Sequence, residues 1–275
     1  MKRIILLIIS VILFQMISSA QSTGPQIEGK EVFKNDDVVF HKIDENTWIG
    51  TGHLVYNESI YLVEGNNKAV LIDAGTRIKN LDKIVSSLTK KPVMLVGTHV
   101  HGDHMGGIDN FPELYINPGD TVLIRQTIPN YKGKVKFLKD GEFIDLGGRK
   151  LEVVFTPAHT PGSTTFIDRE AGYGFSGDSF GSGNLLLTMT FSTLIATCEK
   201  TSAIMAKYGI KYLYPGHYSG QNKETKKRVD DMITLSKDVL SGKVKGTDNP
   251  TGQMGLNLLV NYYGVKINYT ENSLK

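Results

Sequence analysis

The stretch Thr98-His99-Val100-His101-Gly102-Asp103-His104-Met105-Gly106-Gly107 packs three of the chain's seven histidines and a carboxylate into six positions, His99 to His104. Imidazoles and a carboxylate crowded this closely must be solvated, hydrogen-bonded or bound to a cation. Imidazole is a favoured ligand of zinc and other borderline metals, and a carboxylate adds the negative charge a divalent ion needs. Working outward, Val93 to Val96 is a short apolar run after Pro92 and reads as a buried strand, so the histidine run begins just past a strand's carboxyl end. Before it, Leu81, Ile84, Val85 and Leu88 fall at helical spacing within Lys79 to Thr89. Further upstream, strand-like runs at Val38 to Ile43, Thr47 to Ile49, Ser59 to Glu64 and Ala69 to Ile72 are separated by glycine and asparagine, as in a meander of hairpins.

Downstream the same arrangement recurs. Strands are expected at Leu114 to Ile116, Thr121 to Ile124, Leu151 to Thr156, Thr164 to Asp168, Gly174 to Ser176, Lys211 to Tyr214, Leu256 to Tyr262 and Val265 to Tyr269, with helices at Cys198 to Tyr208 and Lys223 to Ser241. Three strand ends carry chemistry: Ala158-His159-Thr160-Pro161-Gly162-Ser163, Ser176-Gly177-Asp178-Ser179 and Tyr214-Pro215-Gly216-His217. Glycine in each permits a sharp turn and close backbone approach. Five of the seven histidines belong to these segments and to the opening run; His41 and His53 do not. Intermixed strands and helices predict a layered α/β (α+β) domain with helices on the outer faces of sheets.

At 275 residues with 40% hydrophobic content, the chain can bury a large core and reads as one catalytic domain, 36–275. It is preceded by a polar, loosely held lead-in over 21–35. Lys2 and Arg3, the apolar stretch Ile4 to Ile17 and Ser18-Ser19-Ala20 form a signal-peptide pattern, 1–20, with cleavage expected after Ala20. The apolar stretch is shorter than the roughly 20 residues of a membrane span. Export to the periplasm or the exterior, with no stable membrane anchor after cleavage, is the expectation. Loss of Lys2 and Arg3 lowers the formal charge from +3 to +1, and no basic stripe points to nucleic acid. Cys198 is the single cysteine, without a partner for an internal disulfide, and reads as a core filler.

Taken together, His99-x-His101-x-Asp103-His104 with Gly106-Gly107, then His159, Asp178 and His217 in that order, resemble the metallo-β-lactamase-fold hydrolases over about 38–220, including Leu71-Ile72-Asp73-Ala74-Gly75. The resemblance implies a four-layer αββα sandwich holding two Zn2+ or other divalent transition metals. It places one ion on His99, His101 and His159 and the second on Asp103, His104 and His217, with Asp178 bridging them. Three histidines leave an open position for water, as a catalytic zinc needs, and two ions roughly 3.5 to 4 Å apart hold and aim a shared hydroxide. Asp103 is the expected catalytic carboxylate, orienting that hydroxide or moving its proton. Asp73 reads either as a partner that orients a ligand histidine or as a plain turn-forming aspartate.

A competing pattern is Gly177-Asp178-Ser179-Phe180-Gly181, which fits the G-x-S-x-G elbow of serine hydrolases and follows a strand. Gly181-Ser182-Gly183-Asn184 is a poor helix start behind it, and a serine nucleophile is not expected. The substrate class stays open among electrophilic carbonyl and phosphorus centres. Asp178 and the Pro-Gly-His ending at His217 resemble the glyoxalase II and lactonase branches, so a small ester, thioester or lactone is the first expectation. Export and the His159-Thr160-Pro161-Gly162-Ser163 segment resemble β-lactamases, the alternative, although the next lysine after Asp178 is Lys200. A binding module without turnover is disfavoured by the intact ligand set.

Overall fold

A computed structural model describes residues 26–54 and 56–275; the expected leader, 1–20, lies outside the described residues. The chain enters through an antiparallel meander, β1 (Lys30–Lys34), β2 (Val38–Asp44), β3 (Thr47–Gly52), β4 (Ser59–Glu64) and β5 (Ala69–Ile72). It then changes pairing mode. Parallel neighbours need a crossover, and α1 (Leu81–Leu88) carries the chain back to β6 (Val93–Val96), which lies parallel to β5. The short α2 (Gly102–Met105) leads to β7 (Glu113–Ile116), and α3 (Thr121–Thr127) to β8 (Lys134–Phe137), completing an eight-stranded sheet in sequence order.

The second sheet starts with β9 (Phe143–Asp145), β10 (Lys150–Phe155), β11 (Thr164–Asp168) and β12 (Tyr173–Gly177), all antiparallel. The two-residue β13 (Leu185–Leu186) and the long α4 (Phe191–Tyr208) follow, and α4 is the crossover to β14 (Tyr212–Pro215), parallel to β12. After β15 (Glu224–Thr225) and α5 (Lys226–Leu240), the strands β16 (Thr247–Asp248), β17 (Leu258–Tyr262) and β18 (Val265–Tyr269) join β13 in a third, four-stranded sheet.

Period-two alternation within apolar runs explains the layering. On β4 and β5, Ile60, Leu62, Ala69 and Leu71 pack with Leu81, Ile84 and Val85 of α1, while Tyr61, Val63, Val70 and Ile72 point the other way. On the second sheet, Leu151, Val153, Phe166, Phe175 and Tyr214 meet that inner layer, and Val154, Ile167 and Leu213 face α4 and α5. Three apolar layers, helix to sheet, sheet to sheet and sheet to helix, make the αββα sandwich. Strands buried on both faces read as near-continuous hydrophobic runs for this reason, and each fully buried large side chain contributes about 1.5–3 kcal/mol.

Three expectations need correction. Thr121 to Ile124 is helical because Asn117-Pro118-Gly119-Asp120 starts a helix: Asn117 Oδ1 accepts from Gly119 N at 2.9 Å and Pro118 occupies the first position. The helix expected from Cys198 begins at Phe191, capped by Thr190, whose Oγ1 accepts from Thr193 N at 3.1 Å. Burial of Phe191, Leu194 and Thr197 along one face outweighs the weak helix propensity of its threonines. The lead-in 21–35 is not loose where it is described: Lys30–Lys34 forms β1, and Glu28 accepts from Tyr214 Oη at 3.0 Å and Tyr218 Oη at 2.7 Å and pairs with Lys223 at 2.7 Å.

A buried acid marks the β15–α5 junction. Glu224 is buried beside Arg228, 2.6 Å away, yet burial pushes its carboxyl up to about 7 against that partner's pull. A folded-state value above the ordinary 4.5 means its stabilising contribution is complete below that pH and lost as pH rises through about 7. Urea unfolding of wild type and Glu224→Gln at pH 5 and pH 8 should show the variant gaining about 1–3 kcal/mol relative to wild type at the higher pH. A difference that does not change with pH contradicts this.

Candidate metal centre

β5, β6, β10, β12 and β14 all end at one edge of the sandwich, and the chemistry-bearing residues follow directly from those ends. His99 and His101 sit in the loop after β6, Asp103 and His104 on α2, His159 after β10, Asp178 after β12 and His217 after β14. The structure brings all seven together. Their ligand atoms form three overlapping groups, each within 4.8 Å: His99, His101 and His159; His99, His104 and Asp178; Asp103, His104 and His217. His41 and His53 belong to none of these groups.

Hydrogen-bond partners fix which ring nitrogen is free in four of the five site histidines. A carboxylate or carbonyl oxygen only accepts, so the facing nitrogen carries the proton. His104 Nδ1 donates to Asp73 Oδ2 at 2.8 Å, His159 Nδ1 to Leu186 O at 2.9 Å, and His217 Nδ1 to Tyr56 O at 3.2 Å. Thr98 Oγ1 gives its proton to Asp73 Oδ2 at 2.7 Å and therefore accepts from His99 Nδ1 at 3.1 Å. Four Nε2 lone pairs are thereby left pointing inward. His159 Nε2 faces His101 Nδ1 at 2.9 Å. His217 Nε2 lies 3.3 Å from Asp178 Oδ2 and 3.5 Å from Asp103 Oδ2, and His104 Nε2 is 3.7 Å from Asp178 Oδ2.

The residues fit a metal on a second test. His99 Nε2, His104 Nε2 and Asp178 Oδ1 are buried with no hydrogen-bond partner, a costly condition for three polar atoms unless a cation satisfies them. Burial, reinforced by His104 and His159, holds His99 well below the ordinary histidine range, and burial with the same kind of neighbours brings His101 to about 4. Both rings are neutral at pH 7 and offer lone pairs. At Asp178 burial opposes ionisation, but His217 and His104 outweigh it and hold the carboxyl well below its usual range. At His104 and His217 burial opposes protonation, and Asp178, with Asp73 at His104, outweighs it and raises both. The carboxylates thus draw positive charge into the cluster, and a metal at Nε2 supplies it in place of a proton.

Several residues outside the seven support the candidate ligands. Asp73, at φ +63°, accepts Thr98 N at 2.7 Å as well as the Thr98 hydroxyl and His104, so it is at once the turn residue and the carboxylate that orients a histidine. Asp120 is buried and ties two ligand loops together: it accepts Val100 N at 2.8 Å, Thr160 Oγ1 at 3.0 Å and Gly162 N at 2.6 Å. Within Asn117-Pro118-Gly119-Asp120 it reads only as a turn. Gly216 is dictated by crowding, because a Cβ there would collide with Asp178 Oδ1 and His104 Cε1. Ser179 is buried, with its Oγ 2.8 Å from Thr156 Oγ1, and a three-residue 3-10 turn follows at Gly181–Gly183, so the nucleophile elbow is not formed. The centre opens into a cavity of about 650 Å³ whose walls include Tyr56, Ser182, Asn184, Leu186 and Met254.

The chain is similar to known proteins in sequence and in fold. The chain is 25% identical over 203 residues to human acyl-coenzyme A thioesterase MBLAC2, covering 58% of this chain and 73% of that protein. It is 29% identical over 119 residues to a hydroxyacylglutathione hydrolase of Francisella philomiragia, covering 43% and 46%. A metallo β-lactamase from Erythrobacter litoralis, solved with β-mercaptoethanol in the active site, superposes with a TM-score of 0.59 at 20% identity, over 76% of this chain and all of that one, and shows the shared fold. The family model described as the metallo-beta-lactamase superfamily matches residues 54–217, and the chain belongs to that superfamily.

Proposed function

We propose that this protein is an exported dinuclear zinc hydrolase of small acyl thioesters. The observation that carries the reading is the set of inward lone pairs, with His99 Nε2, His104 Nε2 and Asp178 Oδ1 buried and unpartnered. His99, His101 and His159 would hold one ion, Asp103, His104 and His217 the other, and Asp178 both. Such ions polarise a carbonyl oxygen and bring the pKa of water to about 7. The chain's own part is positioning and proton transfer. Asp103 is partly exposed to the cavity and 3.5 Å from His217, placed to take a proton from an attacking water. As water oxygen bonds to the acyl carbon and the carbon–sulfur bond breaks, that proton passes from Asp103 to the departing thiolate.

A thioester is favoured over an ester or lactone by acyl-coenzyme A and hydroxyacylglutathione, the acyl carriers in the names of two relatives. β-Lactams are disfavoured because no lysine or arginine lines the cavity among the described residues, and Lys200 is engaged with Asp140 at 2.7 Å. A panel of acetyl thioester, acyl-homoserine lactone, nitrocefin and bis-phosphodiester on zinc-loaded protein should show thioester turnover that chelator dialysis abolishes and zinc restores. Turnover of nitrocefin alone would reverse the assignment.

Because Asp120 joins the loops of His99, His101 and His159, Asp120→Asn loses an acceptor for Val100 N or Gly162 N. Zinc affinity at one of the two sites, measured by chelator competition, should fall about 10–100-fold with the far-UV circular dichroism retained. Two zinc equivalents of wild-type affinity would show that Asp120 does not set the ligand loops. Export rests on the leader pattern in 1–20. Mass spectrometry of periplasmic protein should find a chain beginning at Gln21, and an intact Met1 chain confined to the cytoplasm would refute it.

A further inference from the structure

The cavity has a second wall that the metal-ligating residues do not build. The superfamily match ends at residue 217, whereas β16, β17 and β18 come after it, and the 3-10 turn Gln253–Gly255 between β16 and β17 places Gln253 and Met254 on the cavity. This third sheet is fastened to the site by hydrogen bonds. Leu185 and Leu186 pair in parallel with Ile267 and Asn268, Asn268 Nδ2 donates to Asn184 Oδ1 at 2.7 Å, and Asn249 Nδ2 donates to Asn268 Oδ1 at 2.9 Å. Leu186 in turn presents the carbonyl that accepts His159 Nδ1–H. The wall and one edge of the candidate metal centre are therefore one hydrogen-bonded unit.

Two side chains on this cavity are placed against their solubility. Met254 is 54% exposed at φ +56°, a backbone region disfavoured for residues with a Cβ, and is held there between Gly252 and Gly255. Tyr56 is 57% exposed and stands edge-on to the His217 ring at 6.3 Å. Both line the cavity, together with the part-buried Leu186, and the other side chains of the third-sheet wall, Asn184 and Gln253, are uncharged. Strained backbone and exposed apolar groups gathered at one cavity are the pattern of a ligand-contacting surface.

We propose that Met254, Leu186 and Tyr56 form a subsite for the apolar acyl chain of the substrate, so that the third sheet selects longer acyl groups over acetyl. The proposal rests on the thioester reading above. The charged groups of the cavity lie at the metal end, where the scissile carbonyl would sit, and the uncharged wall is left for the chain that follows it. An apolar pocket distinguishes substrates differing by single methylenes by about 10-fold or more.

The test compares acetyl, hexanoyl and decanoyl thioesters of N-acetylcysteamine on the zinc-loaded full chain. In wild type kcat/KM should rise about tenfold or more from acetyl to decanoyl. Met254→Gly, which suits the left-handed backbone and so preserves the turn, should lower that ratio about tenfold, chiefly through KM. A wild-type ratio near one, or an unaltered ratio in Met254→Gly, overturns the subsite. A second measurement does not need turnover. With 13C-methyl methionine, the Met254 resonance, identified by its loss in Met254→Gly, should shift on titration with the uncleavable thioether S-decyl-N-acetylcysteamine and not with the S-methyl compound. Absence of that shift also overturns the subsite, whereas a shift without turnover of any thioester would sink the thioester reading and leave the apolar subsite standing.

Discussion

The carboxylate of Asp73 is the constraint on which the candidate site depends. Buried at the end of β5, it has no water to turn to, and it must find donors within the protein. It finds three: Thr98 N, the Thr98 hydroxyl and His104 Nδ1. Those bonds join the end of β5 to the loop after β6 and to α2, and through the Thr98 hydroxyl they also set the proton of His99. One buried charge thereby fixes two ring tautomers and the register of two segments, at a position where Asp73 itself is held at φ +63°.

The architecture supplies the convergence that no local interaction can. A parallel crossover within each sheet, β5 to β6 and β12 to β14, makes successive strands end on the same side. Packing the two sheets through Tyr61, Phe166, Phe175 and Tyr214 then brings those ends face to face. Asp120 holds the His101 and His159 loops together across the gap, and Ser59 N and Ser59 Oγ grip Gly216 O and Tyr218 N on either side of His217. Rigid support of this kind lets five imidazoles and two carboxylates share a space too small for water to solvate each.

Much of this was legible from residues alone, for a physical reason that also explains the gaps. Ser59–Glu64, Ala69–Ile72, Val93–Val96 and Val265–Tyr269 were readable to the residue because apolar runs bounded by glycine, asparagine, proline or charge leave little choice of ends. The strands β8 and β9, and the two-residue β13, β15 and β16, carry too little apolar pattern to announce themselves. Thr121 to Ile124 misled because β-branched residues favour strands locally, while the turn at Asn117 and Pro118 decided for a helix. The lead-in misled because its order comes from Glu28 meeting Tyr214, Tyr218 and Lys223, residues far away in the chain.

The identities of the seven site residues, the superfamily and the strand-end placement of the candidate ligands follow from the sequence by itself, since spacing such as His99-x-His101-x-Asp103-His104 is a local property. The tertiary structure alone decided which ring nitrogen His99, His104, His159 and His217 offer, that Asp120 belongs to the site, and that a third sheet beyond the superfamily match closes one wall of the cavity. These are matters of distance between segments remote in the chain, and the pattern of side chains along a strand does not record how far away the next sheet lies.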